Sequence, residues 1–328
     1  MNDERNLENR YKQESDQWLK WQTDPESRRI GESWFQTDTI DAWRHERMYA
    51  CIDPILALFP ESKWLTVGDG RFGKDANYLL SKGHEAVASD ISDTLLKIGA
   101  ERGFIRDFNI ANAESLPFDS GSFDFVLCKE SYHHFPRPMI ALYEMIRVAK
   151  KGVVLIEPCE APTLESKRAV IKGLIKRMLL RFGFQSFLRT GDIGLIRGYE
   201  DSFEDVGNYV YSISEREIEK AALGMGYRFC AFKGLNDYYE KGLEFEKAAE
   251  DSPLFLKAKE NIARADSRCK KTFGGKTHDL LVAVMFKQPV DATAIRSLHK
   301  SGFTIRQLPE NPHLKPASSP TSEQGERK

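Results

Sequence analysis

Trp64-Leu65-Thr66-Val67-Gly68-Asp69-Gly70-Arg71-Phe72-Gly73 decides the fold of this chain. Trp64 to Val67 read as a short buried strand that closes on Gly68, and Asp75 to Leu80 beyond the turn suit a helix. The glycines let the backbone turn sharply and approach a ligand closely, while the helix N-terminus offers free N–H groups. Literally the turn is G-x-G-x-x-G, and Asp90 stands twenty positions after Gly70, where an acid meets ribose hydroxyls. Taken alone, the pattern is divided between a nicotinamide or flavin site and an S-adenosylmethionine site, with a ligand-free loop as the third reading.

The same rhythm continues outward. Ala86 to Ala88 is a second strand and Asp93 to Arg102 a second helix; Phe104 to Ile110 is a third strand and Phe123 to Cys128 a fourth. Met139 to Ala149 is a helix and Val153 to Ile156 a fifth strand. Strands alternating with helices imply right-handed crossovers and a doubly wound, mostly parallel α/β sheet with helices on both faces. After Pro158 the alternation breaks, and residues 160–212 read as a helical lid insertion. It resumes with a helix at Ile213 to Leu223, a strand at Tyr227 to Phe232 and a last strand at Asp279 to Phe286. Residues 1–40 form a helical arm expected to dock through Trp18, Trp21, Trp34 and Phe35, followed by a helix from about Asp41 to near Pro60. The main domain is thus 41–288, and 289–328 a partly disordered C-terminal tail rich in Pro, Ser and charge.

The composition agrees with a globular α/β protein: of 328 residues, 41% are hydrophobic and 30% charged. A formal net charge of -1 gives no global field for nucleic acid, so no nucleic-acid partner is expected. The five scattered cysteines include no C-x-x-C pair, which argues against a disulfide framework or a Cys-rich zinc site. The polar start MNDERNLENRYKQESDQW is no signal peptide, and no apolar run approaches the ~20 residues of a membrane span. A cytoplasmic protein is expected.

Downstream segments distinguish the readings of the turn. Asn112-Ala113-Glu114-Ser115-Leu116-Pro117-Phe118 follows strand three, Phe123-Asp124-Phe125-Val126 forms strand four, and His133-His134-Phe135 follows it. Arg147-Val148-Ala149-Lys150-Lys151-Gly152 then leads into strand five. In this ordered series the chain resembles the class I (Rossmann-like) S-adenosylmethionine-dependent methyltransferase superfamily, in its small-molecule branch. The resemblance runs from about 62 to 158 and more weakly over 213–287. It implies a seven-stranded sheet with an antiparallel last strand, and S-adenosyl-L-methionine as cofactor. It further implies that Gly68, Asp69 and Gly70 line the methionine and ribose part and that Asp90 accepts from the ribose hydroxyls. Ile91 would lie against adenine, Asn112 and Ala113 would meet its edge, and Lys129 would sit beside the methionine moiety. Two departures matter: Thr66 stands where the family has an acid that helps hold the methionine amino group, and Asn112 replaces an Asp. For the first, Asp69 or a residue of the arm is the expected substitute.

Methyl transfer from a sulfonium is an in-line displacement on an activated donor, so alignment and water exclusion are the protein's main contributions. A general base is required only for an acceptor that holds its proton at neutral pH, and His133 and His134 are the candidates. The bland alternative has one of them capping the turn or packing under the lid. Glu130 and Glu157 stand ready to bind the acceptor or to pair with Lys129 or arm arginines; Arg44, His45 and Arg47 face either the cofactor carboxylate or solvent. No metal site is expected, because further ligands at suitable spacing are missing. The insertion carries a basic amphipathic helix, with Ile171, Leu174, Ile175, Met178, Leu179 and Phe182 on one stripe. That stripe packs on the domain or gives weak membrane-surface contact through 165–182. The favoured function is O- or N-methylation of a small-molecule acceptor, of a sugar-type or lipid-linked kind. The alternatives are an NAD(P)-dependent oxidoreductase and a non-catalytic S-adenosylmethionine-binding regulatory protein.

Overall fold

The structure is a computed structural model that describes residues 2–160, 203, 208–271 and 278–313. Its centre is one sheet with strands β1 (Lys63–Val67), β2 (Glu85–Asp90), β3 (Asp107–Ile110), β4 (Phe123–Lys129), β5 (Ala149–Pro158), β6 (Phe229–Leu235), β7 (Leu280–Phe286) and β8 (Thr304–Gln307). The spatial order is β3-β2-β1-β4-β5-β7-β6-β8. Strands β1 to β5 pair in parallel, β7 runs antiparallel to β5 and β6, and β8 runs antiparallel to β6. Strand order reverses between β1 and β4, so their carboxyl ends splay apart and leave a crevice there.

Alternate side chains of the central strands feed two apolar layers. Leu65, Val67, Val126 and Cys128 meet Leu142, Met145 and Ile146 of the helix Pro138–Val148 on one face. Trp64, Phe125 and Leu127 meet Ile52, Ile55 and Leu79 on the other. Every residue of β7 is buried, as expected for a strand covered on both sides.

Three elements differ from expectation. The sheet has eight strands, not seven, and the eighth comes from the stretch read as a tail. Asp291 caps the helix Ala292–Lys300 by accepting from the N–H groups of Thr293 and Ala294, both at 2.8 Å. Leu298 and Phe303 are then buried and Thr304–Gln307 adds to β6, so the domain continues past residue 288. Strand β3 begins at Asp107 because Ile105 is drawn under the turn at Gly73 instead of into the ladder. The helix expected from Asp41 to Pro60 is two, Ile40–Ala50 and Asp53–Leu58, with Pro54 in the first turn of the second.

Ahead of them, helices Asn2–Gln17, Lys20–Thr23 and Pro25–Ser33 make the arm. Trp18, Trp21, Trp34 and Phe35 cluster around Phe72 and Leu95. The basic helix read over 165–182 lies outside the described residues. Among the described residues, no helix is long and apolar enough to cross a membrane.

Candidate active site

The turn after β1 is built around glycines for steric reasons. Gly68 has φ +75°, and a Cβ there would lie 2.4 Å from Cβ of Ser131. Ser131 also donates its hydroxyl to the carbonyl of Gly68 at 2.7 Å, which locks the loops after β1 and β4 together. Asp69 turns inward. Its carboxylate accepts from the N–H groups of Asp75 (3.0 Å) and Ala76 (2.9 Å), at the start of the helix Lys74–Ser81, and from the hydroxyl of Thr66 at 2.8 Å. Burial first, and the neighbouring Asp75 second, hold its carboxyl well above the usual range. Thr66 thus serves as a donor to Asp69.

A cavity of about 70 Å³ opens beside this turn. Gly68, Asp90, Ile91, Asn112 and Ala113 all border it, so five of the expected cofactor residues converge. Asp90 is buried and accepts from the N–H of Ser92 at 2.9 Å. Burial raises its carboxyl to about 7, so it stands near half-protonated at neutral pH until a donor arrives. The side-chain oxygen of Asn112 accepts from the N–H of Glu114 at 2.9 Å. Gly70 lies directly beneath the indole of Trp18.

A second compartment, of about 160 Å³, shares Trp18, Gly68, Ser131 and His134 with the first. Asp69 and Lys129 border it, and here charge dominates. Lys129 is buried, with Nζ 3.0 Å from Glu130 and 3.8 Å from Asp75, over the ring of Tyr49. Tyr49 donates its hydroxyl to Asp75 at 2.6 Å. Burial favours a protonated Glu130, but Lys129 first, with Arg71, outweighs it and holds the carboxyl well below its usual range. Arg71 donates to Nε2 of His45 at 2.8 Å, and burial together with Lys129 keeps that imidazole neutral. Lys74 is pushed down to about 8 by burial. Arg71, Lys74, Asp75 and Tyr49 are site residues that the sequence does not single out; their one sequence signal is the basic Arg71 and Lys74 within a turn expected to meet a ligand. Of the three basic candidates Arg44, His45 and Arg47, only His45 borders the cleft. Arg44 pairs with Asp41 and Asp237, and Arg47 donates to the carbonyl of Asn236 at 3.1 Å.

Beyond β4, a short 3-10 turn carries Tyr132, His133 and His134. His134 borders both compartments, whereas His133 turns to Glu157, with Nδ1 2.7 Å from Oε2. The other oxygen of Glu157 accepts from the N–H groups of Ser131 (2.9 Å) and Tyr132 (3.0 Å), so a fully buried carboxylate holds the whole turn. A carboxylate can only accept, so the contact puts a hydrogen of His133 on Nδ1, and in the neutral tautomer Nε2 carries the lone pair. The two imidazole rings lie 3.9 Å apart. Among the described residues, no group of three or more His, Cys, Asp or Glu side chains is placed to hold a metal ion.

A doubly wound sheet with a glycine turn leaving β1, a buried acid ending β2 and a cleft at the switch point is the arrangement in which α/β proteins bind adenosine-containing cofactors. Residues 65–156 match the family of the methyltransferase domain. It is 29% identical over 143 residues to a demethylmenaquinone methyltransferase of Renibacterium salmoninarum, covering 43% of this chain and 60% of that one. It is 33% identical over 136 residues to a ubiquinone/menaquinone biosynthesis C-methyltransferase of Pasteurella multocida, covering 40% of this chain and 47% of the relative. The chain thus spans about half the length of the curated relatives it matches. Among solved structures, the YcgJ protein of Bacillus subtilis is similar at 15% identity and a TM-score of 0.44, covering 74% of this chain and all of that one.

Proposed function

We propose that this chain transfers the methyl group of S-adenosylmethionine to a small-molecule acceptor. The observation that carries the reading is the division of one cleft into two compartments at Gly68. The first has apolar walls at Ile91 and Ala113 with acceptors at Asp90 and Asn112, suited to adenosine. The second carries Arg71, Lys74 and Lys129 opposite Glu130 and Asp75, suited to the zwitterionic methionine end. In this reading the cofactor supplies an activated methyl group, and the chain binds, orients and excludes water. Lys129 and Arg71 neutralise the carboxylate, Glu130 faces the ammonium, and Asp90 accepts from the ribose. His134, at the border of the compartments, or His133, oriented by Glu157, takes the acceptor's proton where the acceptor holds one.

The acceptor atom is O or N of a small metabolite, with a sugar-type or lipid-linked compound as the preferred class. The names of the two curated relatives favour a second reading, a quinone-type ring carbon. Isothermal titration with S-adenosylhomocysteine and with NADH tests the cofactor: affinity for NADH alone returns the oxidoreductase alternative. Incubation of a metabolite extract with methyl-labelled cofactor then reads whether label enters an O, N or C position, and no transfer to any acceptor leaves a cofactor-binding regulatory protein.

A further inference from the structure

The first compartment is bordered by residues at the strand ends and also by Tyr11, Glu14 and Trp18 of the N-terminal arm. The contact is close. A Cβ on Gly70 would stand 2.3 Å from Cζ2 of Trp18, so the indole rests on bare backbone at the turn. The arm is fastened on both sides of this point. Tyr11 donates its hydroxyl to Glu114 at 2.6 Å and accepts from Arg137 at 3.1 Å. Trp21 packs on Trp34 with centroids 4.4 Å apart, and Arg102 forks onto Glu32 at 2.7 and 2.9 Å.

We infer that the arm is part of the cofactor site, with Trp18 stacking on the adenosine half and Glu14 accepting a ribose hydroxyl beside Asp90. This rests on the reading of the cleft as an S-adenosylmethionine site. Two carboxylates on one compartment suit a vicinal diol, because each accepts one hydroxyl and the diol's hydrogens separate the charges. Burial is the main cause of the raised Asp90 carboxyl, and the charge of Glu14 adds to it. The amide of Asn208 donates to Glu14 at 3.4 Å and to the carbonyl of His134 at 3.0 Å, which links the arm to the turn that borders both compartments. Cofactor entry then requires the arm to lift from Gly70.

The test uses the full chain and S-adenosylhomocysteine, with dissociation constants from calorimetry and tryptophan emission read in parallel. Glu14→Gln, which keeps size and loses charge, should weaken binding roughly tenfold or more, the usual worth of one charge-assisted bond. Trp18→Phe should bind with a smaller loss and abolish most of the ligand-induced change in emission. Glu310→Gln, which disturbs only an exposed pair with Arg228 outside the arm, should bind as the parent does. Parent-like affinity in Glu14→Gln and Trp18→Phe, both folded by circular dichroism, would overturn the role of the arm while leaving the cofactor reading intact. A parent protein with no affinity for S-adenosylhomocysteine would instead remove the cofactor reading and this inference with it.

Discussion

Nδ1 of His133 stands 2.7 Å from Oε2 of Glu157, a carboxylate with no solvent exposure that also accepts two backbone N–H groups from the same turn. One acid therefore fixes both the path of the turn and the tautomer of the imidazole. Glu157→Gln retains an acceptor for the backbone but presents an amide donor to His133, which moves the ring hydrogen to Nε2. Nitrogen-15 shifts of the imidazole should report that exchange. If His133 is the base, labelled-methyl transfer should fall by about 10²–10⁴ with S-adenosylhomocysteine affinity unchanged. Glu157→Ala, which strands the two N–H groups, should cost about 2–4 kcal/mol in urea unfolding.

Asp90 costs the ligand-free fold stability at neutral pH. Its folded carboxyl stands at about 7, raised chiefly by burial, against about 4 in an unfolded chain. The folded state therefore holds a proton that the unfolded state has lost between those values. The stability contributed by this group is full below pH ~4 and is lost as pH rises to ~7. Asp90→Asn should then raise the melting temperature of the ligand-free protein at pH 8, by an amount that vanishes near pH 4. The gain in stability, on the order of a few kcal/mol, should come with weaker S-adenosylhomocysteine binding. Equal melting curves for parent and variant at pH 8 would contradict the assignment.

Thr66 cannot simply be returned to the acid that the superfamily places there. It is fully buried and its hydroxyl donates to Asp69 at 2.8 Å, so Thr66→Asp puts two carboxylates in contact. The variant should lose about 3 kcal/mol or more at pH 8. Protonating one member relieves the repulsion, so the deficit should shrink as pH falls toward 5. Thr66→Val, which only removes the donor, should cost about 1–2 kcal/mol.

Lys74 supplies a second pH signature. Burial lowers its ammonium to about 8, so part of the population is neutral just above physiological pH. An anionic carboxylate entering the second compartment restores the charge and draws in a proton. Calorimetry with S-adenosylhomocysteine at pH 8.5, in buffers of different ionisation enthalpy, should show net proton uptake. Lys74→Met should lose that uptake; unchanged uptake in the variant would place the carboxylate elsewhere.

Much of the cleft's lining is legible in the sequence. Helical and strand periodicities put Gly68, Asp90, Asn112 and Lys129 at strand ends, and in a parallel sheet such ends converge at the switch point whatever the loops do. Arg44 and Arg47 turn away from the cleft, and helical periodicity does not say which acid from a distant segment, here Asp237, claims a guanidinium. The strand at Thr304–Gln307 is not legible, because four alternating residues after a polar helix carry too little apolar signal.

What the sequence determined by itself, then, is the local order of strands, helices and the glycine turn, since these follow from short-range sterics and hydrophobic period. Only the tertiary structure decided what closes the cleft. Tyr11 meets Glu114 across 103 residues, Trp18 settles on Gly70, and Asp69 accepts from two N–H groups at the start of a helix. Each of those outcomes is a competition among buried donors, acceptors and ring faces brought together by folding, and no window of sequence contains both sides of the contest.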